Sequence, residues 1–290
     1  YAYSDTRRQS TRREFQIIAP SDMPLGVATF RPDLLLAPGI VSHYRIGMVE
    51  ATETDPAFSA GLTIHGAYGK INYEPLDAVS LDVGVRFEDA TQFVRPTNVF
   101  TVPSSSLAST ELAKSYWLPS ATVTWELAPQ MQVRLHGSKT IARPQFRELM
   151  FQLYYDPESD RLYRGNPLLT DSRLTNAEAR FEWYFAPEQR LSLAGFWKKI
   201  DRPIEAFTGF SDNQPQTSYA NAPQATLYGA EIEAQKYVDV NDLGGWFQNR
   251  RLVAIANYTF TKSKLKVGAG DSVAIYGTAS QPATNVFRDG

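Results

Sequence analysis

Val79-Ser80-Leu81-Asp82-Val83-Gly84-Val85-Arg86-Phe87-Glu88 alternates between apolar side chains and positions that are polar or glycine. In an extended chain, successive side chains point to opposite faces, so the apolar residues at odd positions share one face and the polar residues at even positions share the other. The stretch therefore predicts a β-strand with one dry face and one wet face.

The same period of two recurs along the chain, and no comparably long segment has the 3.6-residue period of an α-helix. We predict nine strands on this basis, at 2–15, 59–74, 79–93, 114–127, 131–142, 174–185, 190–207, 225–238 and 250–265. A tenth strand would open at Asn285-Val286-Phe287, and the one short helical candidate lies between Pro144 and Leu153. The expected fold class is all-β.

The connections between the predicted strands alternate in length. Short links lie at 74–77, 128–130 and 186–189, and a somewhat longer one at 241–249; the long links lie at 16–58, 94–113, 143–173, 208–224 and 266–280. Loops beyond about 12–15 residues are uncommon in compact soluble domains, and strands there centre on about five or six residues. Long strands with every long loop at one end are typical of an antiparallel transmembrane β-barrel, which has short periplasmic turns and long extracellular loops.

The composition narrows the classes of function. The chain has no cysteine, which excludes disulfides, thiolate metal sites and cysteine nucleophiles within it. A net charge of −2 gives no overall attraction to nucleic acid. The most apolar stretch, 34–41, is short and interrupted by Pro38 and Gly39, so it is no transmembrane helix. A mean hydropathy of −0.33 is still compatible with a membrane barrel, because the strands of a barrel alternate polar and apolar residues.

Catalytic and metal-binding motifs are not found in the sequence. HExxH, the P-loop and the GxSxG elbow are all missing, so we expect no enzyme activity. His43, His65 and His136 are far apart and have no second ligand nearby in sequence, so we expect no metal site. Two carboxylate pairs share a predicted strand face, Glu178 with Glu182 and Glu231 with Glu233. Such pairs could supply an acid and a base, but in a barrel they are more simply charges that face the lumen.

Five phrases in the sequence resemble motifs of the TonB-dependent receptors of the Gram-negative outer membrane. They lie at 81–88 (like GVRYE), 140–149 (like ARPxFxEL), 165–178 (like GNPxLxPxxxxNYE), 196–204 (like FYKxIxxPI) and 229–233 (like GxExE). The phrases occur in the order of the family's barrel, although Thr170-Asp171 stands where a proline is usual. The chain therefore resembles the barrel domain of this family.

The resemblance implies a fold and a set of partners. The family's barrel has about 22 strands around a lumen that an N-terminal domain plugs. Residues 1–290 would form about nine or ten of those strands, a partial barrel domain, with the plug domain and the C-terminal strands outside it. The implied partners are outer-membrane lipid, a scarce nutrient such as siderophore-iron, a vitamin or an oligosaccharide, and the TonB complex, which acts through the plug. No cofactor and no nucleic acid are implied.

Two alternative functions remain open on the sequence. A passive porin-like barrel in the outer membrane would show the same strand pattern. A soluble carbohydrate-binding β-sandwich would also alternate, because each of its sheets has one buried face and one solvated face. The sandwich predicts a segment that is a soluble monomer without detergent, whereas the barrel predicts a requirement for detergent or refolding.

The segment 143–173 is the part of the chain best suited to capture a ligand. It concentrates arginines, whose guanidinium groups bind carboxylate, catecholate or phosphate, together with aromatic rings that stack on flat or sugar-like ligands. The candidate ligand-binding residues are Arg143, Arg147, Tyr154, Tyr155, Arg161, Tyr163 and Arg164. In the alternative interpretation, these residues brace the loop through internal ion pairs with Glu148, Asp156, Glu158 and Asp160.

Overall fold

The computed structural model describes residues 1–52, 56–97, 99, 108–156, 158–211, 214–240, 242 and 244–288. The strands in this part of the chain are β1 (Ala2–Thr11), β2 (Phe15–Ile18), β3 (Gly47–Glu50), β4 (Ala57–Leu76), β5 (Val79–Thr97), β6 (Thr110–Ala128), β7 (Met131–Ala142), β8 (Leu153–Asp156), β9 (Arg161–Arg164), β10 (Ser172–Ala186), β11 (Gln189–Asp201), β12 (Ile204–Ser211), β13 (Gln214–Asn221), β14 (Gln224–Asp239), β15 (Arg251–Lys266), β16 (Ser272–Val273) and β17 (Gln281–Pro282).

Nine of these strands form one antiparallel sheet, which we call the wall sheet, in the order β1-β4-β5-β6-β7-β10-β11-β14-β15. They correspond to the nine strands predicted from the period of two, so the all-β, antiparallel class is confirmed. The predicted strand 190–207 ends earlier than expected, at Asp201. Arg202 adopts a left-handed conformation with φ of 56° and Pro203 follows it, so the chain leaves the sheet there. The sheet does not close within the described residues, and β1 and β15 are its edges.

The outer face of the wall sheet is apolar across all the central strands. Val83 lies opposite Ile71 on β4 and Ala121 on β6, and the rings of Phe87 and Trp117 pack with centroids 4.8 Å apart. Large side chains exposed on this face are Ile71, Tyr73, Val83, Val85, Trp117, Trp125, Leu135, Trp183, Leu193, Trp197, Tyr228, Ile232, Tyr258 and Phe260. An uncovered apolar face of this extent is typical of a surface that contacts lipid or another apolar partner.

The inner face of the wall sheet carries polar and charged side chains that pair across strands. Asp82 lies 2.8 Å from the ammonium of Lys70 and accepts a hydrogen bond from Asn72 at 3.1 Å. The carboxylates predicted to face the lumen all pair with arginines on this face: Glu178 and Glu231 with Arg180, Glu182 with Arg134, and Glu233 with Arg190. Each of these four acids thus has a partner cation on the inner face.

The two ends of the wall sheet differ, as the alternating link lengths predict. Two-residue turns join β4 to β5, β6 to β7 and β10 to β11 at one end, which we call the turn end. The link from β14 to β15 lies at the same end and contains a 3₁₀ turn at Gly245–Phe247. Every long connection leaves from the opposite end, which we call the loop end.

The long connections contain secondary structure of their own, most of which the sequence pattern does not predict. Strands β12, β13, β9 and β8 form a second sheet, the cap sheet, in which β13 and β9 run parallel. Strands β2 and β3 pair in antiparallel fashion, as do β16 and β17. The helices are single turns or little more: α1 (Leu25–Ala28), α2 (Pro32–Leu35), α3 (Pro38–Tyr44) and α4 (Phe146–Leu149). Within the described part of the chain, no helix is both long enough and apolar enough to cross a bilayer.

The predicted helix near Pro144 is α4, where Gln145 and Glu148 form a capping box in which the backbone N–H of Gln145 donates to Oε2 of Glu148 at 2.8 Å. The tenth strand expected at Asn285 is replaced by a 3₁₀ turn at Ala283–Asn285. The turn brings Phe287 against Phe207 of the cap sheet, with ring centroids 6.3 Å apart. Packing against the cap thus overrides the apolar pattern of this short segment.

Two buried apolar clusters hold the loop end together. The first joins the wall sheet to α4 and the residues that follow it, and consists of Phe58, Ala60, Val94, Leu149 and Leu169. The second joins the cap sheet to the segment after β15, and consists of Ala220, Ala222, Val273, Ala283 and Phe287. We call the cap sheet, together with the connections packed around it, the cap. The two clusters show that the cap packs firmly onto the wall sheet.

Candidate functional site

Asn166 joins three of the long connections at the loop end. Its side chain is 1% exposed, and its amide group donates to the backbone carbonyls of Tyr219 at 2.9 Å and Ala274 at 2.8 Å. Its Oδ1 accepts from the backbone N–H groups of Leu168 at 3.1 Å and Tyr276 at 3.3 Å. A buried amide is stabilising only when its hydrogen-bonding capacity is used, as it is here. Asn166 therefore fixes the connections after β7, β11 and β15 relative to one another.

Gly165 allows the chain to pass close to the end of α4. Its N–H donates to the carbonyl of Met150 at 3.0 Å, and the N–H of Asn166 donates to the carbonyl of Glu148 at 2.6 Å. A Cβ atom at position 165 would clash with the carbonyl oxygens of Met150, Glu148 and Arg147, so only glycine fits. Gly165 and Asn166 therefore hold α4 in place beneath the cap sheet.

Three tyrosines of the cap sheet form a stack. The rings of Tyr154 on β8 and Tyr163 on β9 are nearly parallel, with centroids 5.3 Å apart, and Tyr219 on β13 continues the stack at 6.4 Å from Tyr163. The hydroxyls of Tyr154 and Tyr219 lie 3.3 Å apart. Burial, together with the Tyr219 hydroxyl, raises the pKa of Tyr154, so its phenol stays neutral. The stack offers aromatic faces and neutral hydroxyls.

Arg164 lines a recess of 430 Å³ within the cap, which we call the cap recess. Its guanidinium carbon lies 5.0 Å from the centroid of the Phe151 ring, and that ring meets Tyr276 edge-on at 4.7 Å. Neutral polar side chains also line the recess: Thr208, Gln216, Ser218, Thr278, Gln281 and Asn285. Aromatic faces, hydroxyls, amides and one cation suit a flat or hydroxyl-rich ligand that carries at most a small negative charge.

A second recess, of 540 Å³, lies on the inner face at the loop end, and we call it the inner recess. Three arginines line it: Arg8 of β1, with Arg143 and Arg147 from the connection after β7. Its apolar lining is Phe58, Ala60, Leu62, Phe146 and Met150. Guanidinium groups over an apolar floor suit an anionic ligand with an apolar body.

The arginines of the inner recess differ in their availability. Glu88 holds Arg143 at 2.9 Å and Arg86 at 2.6 Å, and the Arg143 side chain is only 16% exposed. Arg143 is therefore a brace between the wall sheet and the loop. Arg8 and Arg147 are exposed and have no ion pair among the described residues, so their guanidinium groups are available to an anion.

Gln92 adds a directed hydrogen-bond acceptor to the inner recess. Its side chain is 3% exposed, and its Nε2 donates to the carbonyl of Pro144 at 2.7 Å. Because that carbonyl can only accept, the amide orientation is fixed. Within the described part of the chain, nothing donates to Gln92 Oε1. A bound group with an O–H or N–H would complete this buried acceptor.

Two candidates lie away from both recesses, at the outer tip of the cap sheet. Tyr155 is 52% exposed and donates to Asp160 at 2.6 Å, and this bond raises the pKa of its phenol. Arg161, opposite Asp156 on the neighbouring strand, is exposed. Tyr155 thus braces the loop through its hydrogen bond to Asp160, and Arg161 lines neither of the two recesses.

The structure thus brings the candidates together in four groups rather than in one site: the inner recess, the tyrosine stack, the cap recess and the exposed end of the cap sheet. Three partners were missed by the sequence analysis: Arg8, Gln92 and Tyr276. The even-numbered positions of β1 and β5 face inward, so strand parity combined with pairing could have identified Arg8 and Gln92. No sequence signal could have identified Tyr276, because folding of the cap alone brings it near Phe151. Among the residues that the structure describes, no three histidine or carboxylate side chains are grouped as metal ligands would be.

Comparison with solved structures returns outer-membrane receptors and transporters. The alcaligin receptor FauA of Bordetella pertussis is 18% identical, with a TM-score of 0.45, and the match covers 75% of this chain and 33% of that one. The FrpB iron transporter of Neisseria meningitidis is 14% identical, with a TM-score of 0.48 and coverage of 91% and 32%. The copper transporter OprC is 13% identical, with a TM-score of 0.48 and coverage of 72% and 30%. The chain spans about a third of the length of these proteins.

No curated protein matches the chain significantly. A family model described as TonB dependent receptor-like, beta-barrel, matches residues 24–284, which is most of the chain and includes eight of the nine strands of the wall sheet. The antiparallel wall sheet, with its short turns at one end and long connections at the other, agrees with that match. The chain therefore belongs to the TonB-dependent receptor β-barrel family.

Proposed function

We propose that this chain forms part of the wall and the external cap of an outer-membrane receptor that takes up a scarce nutrient, with energy from the TonB complex acting through a plug domain. The observation that carries the proposal is the division of the wall sheet into an apolar outer face and a charge-paired inner face, in a chain of this family. The proposal gives a role to three surfaces. The outer face contacts lipid, the inner face lines the lumen, and the loop end captures the ligand.

The outer face supports a membrane location. Hydrocarbon cannot hydrogen-bond to backbone groups, so a spanning sheet must pair its strands continuously and present apolar side chains to lipid. The central strands of the wall sheet meet both requirements, and β4, β5 and β6 contain 20, 19 and 19 residues. A tilted strand needs about 9–11 residues to cross the bilayer, so these strands would extend beyond it and carry the cap outward.

The loop end supports ligand capture. The inner recess offers Arg8, Arg147 and the Gln92 acceptor, and the cap recess offers Arg164 beside aromatic rings. Ligands with carboxylate, catecholate or phosphate groups on a flat or apolar body match this chemistry. Siderophore-iron is therefore the ligand class that we favour, and a vitamin or an oligosaccharide would be the alternative.

The proposal is tested by the location and orientation of the full-length protein in its cell. Single cysteines introduced at Gly270 near the loop end and at Asp77 in a short turn would report opposite sides of the membrane, since the chain has no cysteine of its own. We expect a membrane-impermeant maleimide to label Gly270→Cys and not Asp77→Cys in intact cells. Recovery in the soluble or inner-membrane fraction would overturn the proposal, and uptake that continues without an energised inner membrane would favour a passive barrel.

A further inference from the structure

A row of lysines crosses the outer face of the wall sheet near its loop end. The strand register makes direct neighbours of Lys139 on β7, Thr175 on β10, Lys199 on β11, Thr226 on β14 and Lys264 on β15. Adjacent strands are about 4.8 Å apart, so successive lysines are roughly 10 Å apart, with a threonine hydroxyl between each two. We call Lys139, Lys199 and Lys264 the lysine row.

The lysine row lies directly beyond aromatic residues on the same face. Trp197 and Tyr228 are cross-strand neighbours, each two residues closer to the turn end than Lys199 and Thr226. Both rings are exposed. Tryptophan and tyrosine in membrane proteins concentrate at the level of the lipid headgroups. Side chains one step further toward the loop end would therefore meet the polar groups of the outer leaflet.

The surroundings of the lysine row are strongly positive. Lys262 and Lys266 lie on the same face of β15, on either side of the row, and both are exposed. At this level, the one acid on the described outer positions of these five strands is Asp201, which lies 3.0 Å from Lys199. An ion pair with this much solvent exposure is weak, so it can yield to a stronger anion.

We propose that the lysine row binds the phosphate groups of a phosphorylated lipid in the outer leaflet of the membrane. Ammonium groups bind phosphate as point charges, and hydroxyls between them can donate further hydrogen bonds. The occupant is a lipid because the row lies on the lipid-facing side and borders the aromatic residues that mark the headgroup level. The proposal rests on the outer-membrane location inferred above.

The test compares lipids that differ only in their phosphates, with the full-length protein purified in detergent. The probes are bisphosphorylated lipid A and the same lipid after enzymatic removal of its phosphates, and native mass spectrometry measures the bound lipid. We expect the wild type to prefer the phosphorylated lipid. Lys139→Gln, Lys199→Gln and Lys264→Gln should each weaken its binding about fivefold, and the triple variant should lose most of the preference.

Lys198→Gln is the matched control, because Lys198 is the neighbour of Lys199 on the same strand and faces inward. It removes the same charge and should retain the lipid preference. Equal binding of both lipids by the wild type, or an equal loss in Lys198→Gln and Lys199→Gln, would overturn the proposal. A protein correctly placed in the outer membrane without phosphate-dependent lipid binding would refute the lipid site alone, whereas a wrong location would refute the proposed function.

Discussion

Asn166 donates a hydrogen bond of 2.8 Å to the backbone carbonyl of Ala274, although 108 residues separate the two along the chain. The same amide also donates to Tyr219, and its oxygen accepts from Tyr276. One buried side chain therefore determines how the connections after β7, β11 and β15 meet. The shape of the cap recess depends on the relative positions of these connections, because Asn166 and Tyr276 both line it.

Asn166→Ala should loosen the cap without unfolding the wall sheet. The change removes the side-chain donor from the carbonyls of Tyr219 and Ala274 and the acceptor from the Tyr276 N–H, at a cost of about 1–3 kcal/mol. Hydrogen exchange should show faster exchange in the segment after β15, including the Tyr276 amide, and unchanged exchange in β5 and β6. Asn176→Ala, on the inner face of β10, is the control and should leave the cap protected. Exchange after β15 that is as slow in Asn166→Ala as in the wild type would contradict the role given to this residue.

Val83→Arg should destabilise the protein in a membrane by about 2–4 kcal/mol, because it places a charge on the apolar outer face. Asp82→Asn, on the inner face next to it, should be nearly neutral, since its partner Lys70 is exposed. Urea unfolding in lipid vesicles measures both effects. Equal tolerance at the two positions would argue that neither face contacts lipid.

Gly165→Ala should displace α4, because the added Cβ meets three backbone carbonyl oxygens that cannot move independently. We expect a loss of about 1–3 kcal/mol, as for other overpacked sites. Gly69→Ala adds the same methyl group where the nearest 4 Å are empty, and it should cost far less. Thermal unfolding of the two variants side by side measures the difference, and similar melting temperatures would be inconsistent with the close approach at Gly165.

Arg143→Ala and Arg147→Ala should separate bracing from ligand contact in the inner recess. Glu88 has two arginine partners, Arg86 and Arg143. Removing Arg143 leaves only Arg86 and should lower the free energy of unfolding by about 1–3 kcal/mol. Removing the exposed Arg147 should change stability by less than about 0.5 kcal/mol and should reduce nutrient uptake. Denaturation measures the first effect and uptake by whole cells the second. A stable Arg143→Ala variant would show that the Glu88 contact is unimportant.

The cap should be more stable at mildly acidic pH, because burial raises the pKa of Glu205 on β12. A carboxyl with a raised folded-state pKa favours folding while it is protonated, and that contribution is lost as the pH rises through the raised value. Glu205→Gln should therefore stabilise the cap at neutral pH and flatten its pH dependence above about pH 4. Exposed Glu158 on the same cap is the control position. Hydrogen exchange of β12 and β13 across this pH range provides the measurement, and an unchanged pH profile in Glu205→Gln would refute the prediction.

The wall sheet could be predicted from sequence because its constraint is local and repeated. Each strand must place apolar side chains on one face, and 79–88 shows this as clearly as any segment. The two-residue turns then determine which strands pair, so even the carboxylate of Glu182 could be assigned to the inner face. The end of β11 was missed because the apolar pattern runs on through Ile204, which begins β12 of the cap sheet and packs against the first apolar cluster.

The cap could not be predicted to the same degree, because its strands are short and its contacts are distant in sequence. β8 and β9 contain four residues each, too few for a period to be recognised. The stack of Tyr154 and Tyr163 required the cap fold to bring in Tyr219, and the inner recess required Arg8 from the edge strand β1. The candidate list therefore contained residues of both recesses without distinguishing them.

Five of the eight strand pairings in the wall sheet join strands that are consecutive along the chain, whereas Asn166 reaches its partners across 53 and 108 residues. Contacts between nearby residues form early in folding, since little chain entropy opposes them, and distant contacts form late. We expect the wall to assemble hairpin by hairpin and the cap to close last. With the membrane location proposed above, the wall would be inserted before the two recesses form.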